Sequence, residues 1–406
     1  MQGHLCYVTA KIRVCFGVAS AFLAMTVSIG LADARFTNSS TNYPTSEGGV
    51  PQPAEHCMPP APELRVQPFR KFGTGKMEAS LTAINPPDGL AFTREGLLLA
   101  TDAMNHRVQI FDPYSGEHIG SIGDAGLFKG EIVNIITMHD GGLLICDETA
   151  NQIYRFKRTA DLPVPFRPYG PPFFHGEGFK KLCGMACDSK ERLYIVDGYL
   201  GEVRRYLPDF KPDSSWKFQR KRSNNEFILR RTEGIAIDES SGMLFLTSEW
   251  DGMIHAFKLE TGQWLGKSIG RGTDAFTGKP LGQSVFSASV EGLAILDNYL
   301  LAVDEGQASP SMNHSGHLLI FDLHSPVLYE TDADKCRTRM AAGVVDGLVG
   351  WMGLYRSPDS VAVFPGNAKH SEPLIAVADQ GAYQVLVYQW REVQEAIQKL
   401  KKGRIP

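Results

Sequence analysis

Residues 87–111 have the sequence PDGLAFTREGLLLATDAMNHRVQIF, in which three short apolar runs (90–92, 97–101 and 107–111) are separated by turns. The polar pair Asp88-Gly89 precedes the first run, an aspartate follows the second run, and an aromatic residue ends the third. Apolar runs of this length between turn residues are typical of β-strands and too short for helices. The stretch therefore predicts three consecutive short strands.

The same pattern occurs six times along the chain. A polar or small residue begins each copy, and these six lead residues are Asp88, Asn134, Cys183, Glu233, Glu291 and Asp359. Successive lead residues are 46 to 68 positions apart, which is the repeat length of a four-stranded propeller blade with insertions. The sequence therefore predicts an all-β fold, a six-bladed β-propeller of four-stranded blades over residues 66–390.

The segments that flank the repeats predict how the propeller begins and ends. Residues 69–73 (FRKFG) have the pattern of the outer strands of blades one and four, at 117–123 and 264–270, but they precede blade one. We expect this N-terminal strand to complete the last blade and so to close the ring, which removes an exposed sheet edge. The tail, 391–406, has apolar residues at helical spacing and predicts a short C-terminal helix.

The N-terminus has the features of an export signal. Lys11 and Arg13 precede an apolar run, and Ala-Asp-Ala at 32–34 is a small-residue cleavage site, so residues 1–34 are predicted to be a signal peptide. An uncleaved anchor is the alternative, because the apolar run approaches the length that spans a bilayer. Residues 35–65 are rich in Ser, Thr, Pro and Gly, and they predict a flexible leader. We therefore expect a secreted or periplasmic protein.

The composition narrows the class of partner. The chain has 41 Lys and Arg residues against 45 Asp and Glu residues, a net charge of −4. This balance argues against a basic field that would bind nucleic acid, and against contact with a membrane beyond the signal or anchor. Hydrophobic residues make up 43% of the chain, which is enough for a packed core. The oligomeric state does not follow from the sequence.

Five cysteines follow the predicted signal peptide. Cys183 and Cys187 are four positions apart, about 13 Å along a strand, which is too far for a disulfide bond. Cys146 and Cys187 are expected to be small buried apolar side chains. A disulfide between Cys57 and Cys336 would join the two ends of the chain.

The lead residues predict a cation site. Equivalent residues of a propeller lie at equivalent places, so the six lead residues are expected around the mouth of the central channel. Four of them are carboxylates, and such a ring needs protons, water or a cation; oxygen ligands suit Ca²⁺. The aspartates that end the second strands are expected instead to accept hydrogen bonds from the following turn, whereas Glu249 departs from that pattern. The predicted metal ligands are Asp88, Asn134, Glu233, Glu249, Glu291 and Asp359.

The motifs of 87–111 resemble an NHL repeat. Blades four to six are also similar to the phytase-like six-bladed propellers, through Thr-Glu-Gly-Ile-Ala at 232–236, Ser-Glu at 248–249 and Val-Glu-Gly-Leu at 290–293. The resemblance covers about residues 66–390. It implies that calcium is bound at the channel mouth, with Asp359 contributed by the last blade. It also implies that Glu233 and Glu291 are catalytic in the hydrolysis of phosphomonoesters, where calcium neutralises phosphate and activates water.

Three functions remain open at this point. The first is a calcium-dependent hydrolase of phosphomonoesters, and the second is a calcium-dependent hydrolase similar to the six-bladed lactonases. The third is a non-catalytic NHL-type scaffold whose channel-mouth loops bind a protein or a glycan, because rigid repeat folds often present binding loops. The fold alone does not choose among them.

Overall fold

A computed structural model describes residues 62–159, 164–172, 174, 178–270, 272–273, 280–281, 286, 289–306, 316–325 and 347–403. The predicted signal peptide, the leader up to residue 61, Cys57 and Cys336 lie outside these residues. Within them, no helix is long and apolar enough to cross a membrane.

The described chain forms the six blades that the repeats predict, and the strands of each blade run in order from the channel outwards. Blade one contains β2 (Leu90–Phe92), β3 (Leu98–Asp102), β4 (Arg107–Phe111) and β5 (His118–Ile122). Blade two contains β6 (Ile132–Thr137), β7 (Leu143–Asp147), β8 (Gln152–Arg158) and β9 (Phe166–Pro168). Blade three contains β10 (Leu182–Cys187), β11 (Leu193–Asp197) and β12 (Glu202–Tyr206).

The second half of the chain continues the same order. Blade four contains β13 (Ile235–Asp238), β14 (Met243–Ser248), β15 (Met253–Lys258) and β16 (Trp264–Ile269), and is followed by a small hairpin of β17 (Gly272–Thr273) and β18 (Pro280–Leu281). Blade five contains β19 (Val290–Leu296), β20 (Tyr299–Asp304), β21 (Gly316–Asp322) and β22 (Leu348–Tyr355). Blade six contains β23 (Pro358–Phe364), β24 (Leu374–Asp379), β25 (Gln384–Gln389) and, as its outer strand, β1 (Arg70–Phe72).

The pairing of β1 with β25 closes the ring as the sequence predicted. The two strands are antiparallel, with Arg70 opposite Val387 and Phe72 opposite Val385. The inner strands then contact one another in a complete cycle, which runs β2, β6, β10, β13, β19, β23 and back to β2. The six-bladed propeller is therefore confirmed, and both ends of the chain are tied into one sheet.

Two places differ from a uniform set of four-stranded blades. Beyond β12, blade three continues as an isolated bridge between Tyr206 and Pro212, flanked by backbone hydrogen bonds from Leu207 to Lys211 and from Asp213 to Arg205, both at 2.9 Å. In blade five, the backbone N–H of Leu64 donates to the carbonyl of Trp351 at 2.7 Å. Leu64 is buried in the core, so residues 62–65, at the end of the predicted leader, pack against the propeller.

The core consists of six apolar clusters, most of them built between neighbouring blades. Second strands such as β3, β7 and β11 are buried along their whole length, which explains why their sequences are continuous apolar runs. The C-terminal helix α1 (Trp390–Gly403) buries Trp390, Val393 and Ile397 in one of these clusters. The indole N–H of Trp390 donates to Asp297 at 2.7 Å and fixes the start of the helix.

The aspartates at the ends of the second strands are structural, as predicted. Asp147 accepts a hydrogen bond from the backbone N–H of Ala150 in the following turn at 2.9 Å, and Asp197 accepts one from Leu200 at 3.0 Å. Both also accept backbone hydrogen bonds from the segment before the inner strand, Asp147 from Lys129 and Gly130 and Asp197 from Lys180. Cys146, Cys183 and Cys187 are all free thiols, which agrees with the strand spacing.

Adjacent blades touch through backbone at the channel. A Cβ atom added to Gly234 would overlap the carbonyl oxygen of Glu291, the lead residue of the next blade, and one added to Gly184 would overlap that of Glu233. Gly292 has the same relation to Asp359, at 2.8 Å. The glycine that follows the lead residue is therefore required by the distance between blades.

We expect Gly234→Ala to destabilise the protein, because the added methyl group forces two inner strands apart. The expected loss in the free energy of unfolding is about 3 kcal/mol, measured by denaturant unfolding.

Gly242→Ala is the control. Gly242 has open space around its Cβ position and a φ of +67°, so this change costs about 1 kcal/mol through backbone strain alone. Equal losses in the two variants would contradict the close-approach explanation.

Candidate functional site

The lead residues occupy an irregularity in the inner strands. In blade five Val290 pairs with Asp304 and Leu293 with Ala302, and in blade six Pro358 pairs with Asp379 and Ser360 with Ala378. The inner strand thus contains one more residue than its partner, which is the signature of a β-bulge. Glu291 and Asp359 are the residues at these bulges, and a bulge re-aims the side chain that it carries.

In blade two, the predicted lead residue is wrong by one position. Ile132 pairs with Asp147 and Asn134 with Cys146, so Val133 is the extra residue. The contact with blade one agrees, since a Cβ atom on Gly89 would lie 2.9 Å from the carbonyl oxygen of Val133. The sequence pattern predicts Asn134 as the lead residue because it is polar, but the register of β6 and β7 places Val133 at that position. Asn134 still lines the channel, and its Oδ1 atom is buried without a hydrogen-bond partner.

The inner strands surround a cavity of about 410 Å³, and all of the lead residues line it. One carboxylate oxygen from each of Glu233, Glu291 and Asp359 lies within 4.8 Å of the other two. With Asp88, these acids come from four consecutive blades, namely four, five, six and one. Val133 and Cys183 occupy the remaining side, so the mouth is acidic on one arc and apolar on the other.

Asp88 joins the cluster through Asp359. Their carboxyl groups are hydrogen-bonded to each other, and burial raises the pKa of both. Two carboxylates in contact cannot both be ionised cheaply, so this pair holds a proton when no cation is present.

Glu291 is the most buried member of the cluster, with 6% of its surface exposed. Its Oε1 atom accepts a hydrogen bond from the Ser289 hydroxyl at 2.6 Å, whereas its Oε2 atom is buried and has no partner. Burial, followed by the charges of Glu249 and Glu233, raises the pKa of Glu291 well above its usual value. An unpartnered buried carboxylate oxygen is costly unless a proton or a cation meets it.

Glu249, predicted as a ligand, is held outside the cluster. Ser248 takes the place of the aspartate in blade four and accepts a hydrogen bond from the Arg230 N–H, so Glu249 is one residue past that position. Its Oε2 atom is 2.8 Å from Nε of Arg231, while its Oε1 atom is buried without a partner. Burial, with the charge of Glu233, raises the pKa of Glu249 to about 8.

Sequence analysis missed Glu148 and Lys181. Glu148 follows Asp147 just as Glu305 follows Asp304 and Glu249 follows Ser248, so the position after the second strand is a second acidic position in three blades. Burial raises the pKa of Glu148 to about 7. The available signal for Glu148 was the Asp-Glu pair, which occurs at 147–148 and again at 304–305. The prediction considered only the hydrogen bonds of the aspartates to the turn.

Two basic side chains lie among these acids. The ammonium of Lys181 is 2.7 Å from Oε1 of Glu233 and 3.4 Å from Oε2 of Glu148. Besides its contact with Glu249, Arg231 places a guanidinium nitrogen 3.7 Å from the same Oε1 of Glu233. Burial alone would lower the pKa of Lys181, but the neighbouring acids, Glu233 first, together outweigh it and the pKa is raised. Both side chains are therefore positively charged and already paired.

Known structures show the same fold with different chemistries. The PQQ-bound aldose sugar dehydrogenase of Streptomyces coelicolor is 15% identical, with 80% of this chain and 99% of that chain covered and a TM-score of 0.50. Hydrazine synthase of Kuenenia stuttgartiensis is 11% identical over 77% and 97%, also with a TM-score of 0.50. A gluconolactonase of Xanthomonas campestris is 12% identical over 81% and 96%, with a TM-score of 0.48. At these identities the likeness establishes the propeller fold alone. No protein-family profile and no curated protein sequence matches the chain.

We expect the protein stripped of metal to lose stability as the pH rises from about 5 to 8. A carboxyl group whose pKa is higher in the folded than in the unfolded chain favours folding at low pH, and this advantage is lost as the pH rises through the folded value. Glu249, raised from 4.5 to about 8, and Glu148, raised to about 7, set this window. The expected fall in melting temperature is roughly 5 °C.

Excess calcium is expected to abolish most of this fall in melting temperature. In the absence of calcium, Glu249→Gln is expected to reduce the fall. Melting curves at pH 5 and pH 8, with EDTA or with calcium, make the comparison. A melting temperature that is independent of pH in EDTA would contradict the burial of these acids.

Proposed function

We propose that this protein is a hydrolase that binds one or more divalent cations, calcium being the best match, at the channel mouth and acts there on a small molecule. The observation that carries the proposal is the cluster of Glu233, Glu291 and Asp359, whose oxygens lie within 4.8 Å of one another. The buried, unpartnered Oε2 atom of Glu291 is the second observation that supports it.

The donor set favours a hard cation. Three buried oxygens near the mouth lack a hydrogen bond, namely Glu291 Oε2, Glu249 Oε1 and Asn134 Oδ1, and the first two belong to carboxylates. Oxygen donors without imidazole suit Ca²⁺, which takes six to eight oxygen ligands in flexible geometry. Cys183 adds no competing soft ligand, since burial raises the pKa of its thiol well above the usual value and keeps it protonated.

The roles of the chain's own residues follow from their contacts. Glu233, Glu291 and Asp359 would hold the cation, and Lys181 orients Glu233 through the bond to its Oε1 atom. Asp88 is hydrogen-bonded to Asp359 and would hold its carboxyl group in place. A bound calcium ion would supply Lewis-acid polarisation of the substrate oxygen and of water. The assignment of Glu233 and Glu291 as catalytic thus becomes a proposal that they act through cation binding.

Catalysis is favoured by the shape of the site. The carboxylates open into a concave cavity of about 410 Å³, which is within the range of small-molecule sites. Buried acids with raised pKa values in a cavity are also typical of active sites. The predicted signal peptide, 1–34, supports a proposed location outside the cytoplasm, where calcium is abundant.

A non-catalytic scaffold is the second candidate, and a specific observation favours it. Met104, Tyr199 and Trp250 are 45%, 55% and 59% exposed. Each is the second residue after the second strand of its blade, so all three lie on the turns that surround the mouth. Exposed large apolar side chains repeated on one face are typical of a surface that contacts a protein or a glycan. In this case calcium would stabilise the loops without any reaction.

We expect Glu291→Gln to abolish both calcium binding and hydrolysis, because the amide removes the charge from the most buried ligand. Calcium should raise the melting temperature of the wild-type protein by several degrees and that of the variant much less. Calorimetry and assays with lactones and with phosphomonoesters measure the two effects.

Glu117→Gln is the matched control, since Glu117 is exposed on a turn of blade one. A calcium-induced shift that survives in Glu291→Gln would overturn the site. Calcium binding by the wild-type protein without turnover of either substrate class would favour the scaffold.

A further inference from the structure

On one side of the mouth, two basic side chains neutralise part of the negative charge of the acidic arc. Oε1 of Glu233 is 2.7 Å from Nζ of Lys181 and 3.7 Å from the guanidinium of Arg231. Each cation also pairs with a second, outer acid, Lys181 with Glu148 at 3.4 Å and Arg231 with Glu249 at 2.8 Å. Two positive side chains therefore lie between the inner and outer acids of blades two to four.

On the opposite side of the arc, none of the described basic side chains forms an ion pair with Glu291, Glu305 or Asp359, although the charge of Arg231 acts on Glu291 and Glu305 from a distance. Glu291 has a hydroxyl on one oxygen and nothing on the other, and Asp359 has only the carboxyl of Asp88. Glu305 is bonded to the Ser357 hydroxyl at 3.1 Å, which is a neutral donor. Carboxyl groups without a paired cation thus lie at blades five, six and one, and two of them, Glu291 and Asp359, form the three-carboxylate cluster with Glu233.

We infer that the mouth binds a single divalent ion, that Lys181 and Arg231 take the place of a second, and that the substrate is consequently a neutral ester or lactone. This inference rests on the proposed function, because it assumes that the cluster binds a cation and that hydrolysis occurs there. It makes Lys181 and Arg231 positioning residues that determine specificity. Neither has to touch the substrate.

The ion pairs at the mouth argue against a phosphate dianion as the natural substrate. Seven carboxyl groups surround the site, namely Asp88, Glu148, Glu233, Glu249, Glu291, Glu305 and Asp359. Lys181 and Arg231 lie among them, and each is already paired with two of these acids. A dianion would therefore find no unpaired basic side chain among these residues and would meet the surrounding carboxyl groups in a poorly solvated cavity.

A neutral carbonyl substrate avoids this repulsion. A bound cation would polarise its carbonyl oxygen, water would add to the carbonyl carbon, and the bond from that carbon to the ester or ring oxygen would break. The leaving oxygen would take a proton that the attacking water gives up. The products are an alcohol and a carboxylic acid, which are joined in one hydroxy acid when the substrate is a lactone. One proton of the water is then on the leaving oxygen, and the other is on the carboxylic acid.

The first test counts ions. Protein stripped with EDTA is dialysed against calcium, and bound metal is measured per chain. We expect one ion in the wild-type protein and a second in Lys181→Gln, since this change removes a charge and frees oxygens of Glu148 and Glu233.

Lys180→Gln is the matched control, because Lys180 is the exposed neighbour in sequence and makes only a backbone bond to Asp197. It should bind one ion. Two ions in the wild-type protein, or one in a folded Lys181→Gln variant, would overturn the inference, whereas no bound calcium at all would overturn the proposed function instead.

The second test needs no variant. Wild-type hydrolysis of γ- and δ-lactones and of p-nitrophenyl acetate is compared with that of p-nitrophenyl phosphate, and inorganic phosphate is added as a competitor. We expect kcat/KM to be at least about tenfold higher for the neutral substrates, the factor that 1.36 kcal/mol of repulsion produces, and no inhibition by phosphate. Faster hydrolysis of the phosphate ester, or competitive inhibition by phosphate, contradicts the inference while leaving the cation site intact.

Discussion

The backbone contact between successive inner strands is the constraint on which the rest of the molecule depends. In four blades the residue after the lead position is a glycine, because the backbone of the next blade lies at too short a distance to leave space for a side chain. This distance sets how tightly six blades surround the channel, and therefore how close their lead residues come to one another. Three carboxylate oxygens within 4.8 Å are a result of that packing. The free energy that holds like charges together comes from the apolar clusters between blades.

The charged side chains at the mouth form two layers. The inner acids are the lead residues Glu233, Glu291 and Asp359, of which the last two lie at bulges of the inner strands. The outer acids, Glu148, Glu249 and Glu305, follow the second strands. Lys181 and Arg231 lie between the layers on one side only. The molecule as a whole is nearly neutral, so the asymmetry is local and comes from how the blades converge.

The sequence was sufficient for the fold because strand length, turn residues and blade spacing repeat six times, and because 69–73 has the pattern of an outer strand without a blade of its own. The sequence was insufficient for the strand register of blade two, because a bulge depends on the pairing between strands. Val133 is also apolar, so it lacks the polar side chain by which most lead residues were identified. The partners of Glu249 and Glu233 were also hidden, because Lys181 reaches Glu233 from blade three and Arg231 lies in the segment before blade four. Neither contact follows from the repeat pattern. Blade three has an isolated bridge between Tyr206 and Pro212 in place of a regular outer strand, a local departure that the repeat pattern does not show.

The pairing of β1 with β25 has a consequence for how the protein is made. Arg70 lies opposite Val387, so almost the whole chain must be synthesised before the ring can be completed. Until then the first and last blades present unpaired strand edges, which are the surfaces most prone to wrong pairing with other chains. Contacts this distant along the chain also form slowly. The last step of folding is thus the joining of the two ends, and the calcium site proposed here, which draws on blades four, five and six and on Asp88 of blade one, is complete only after that step.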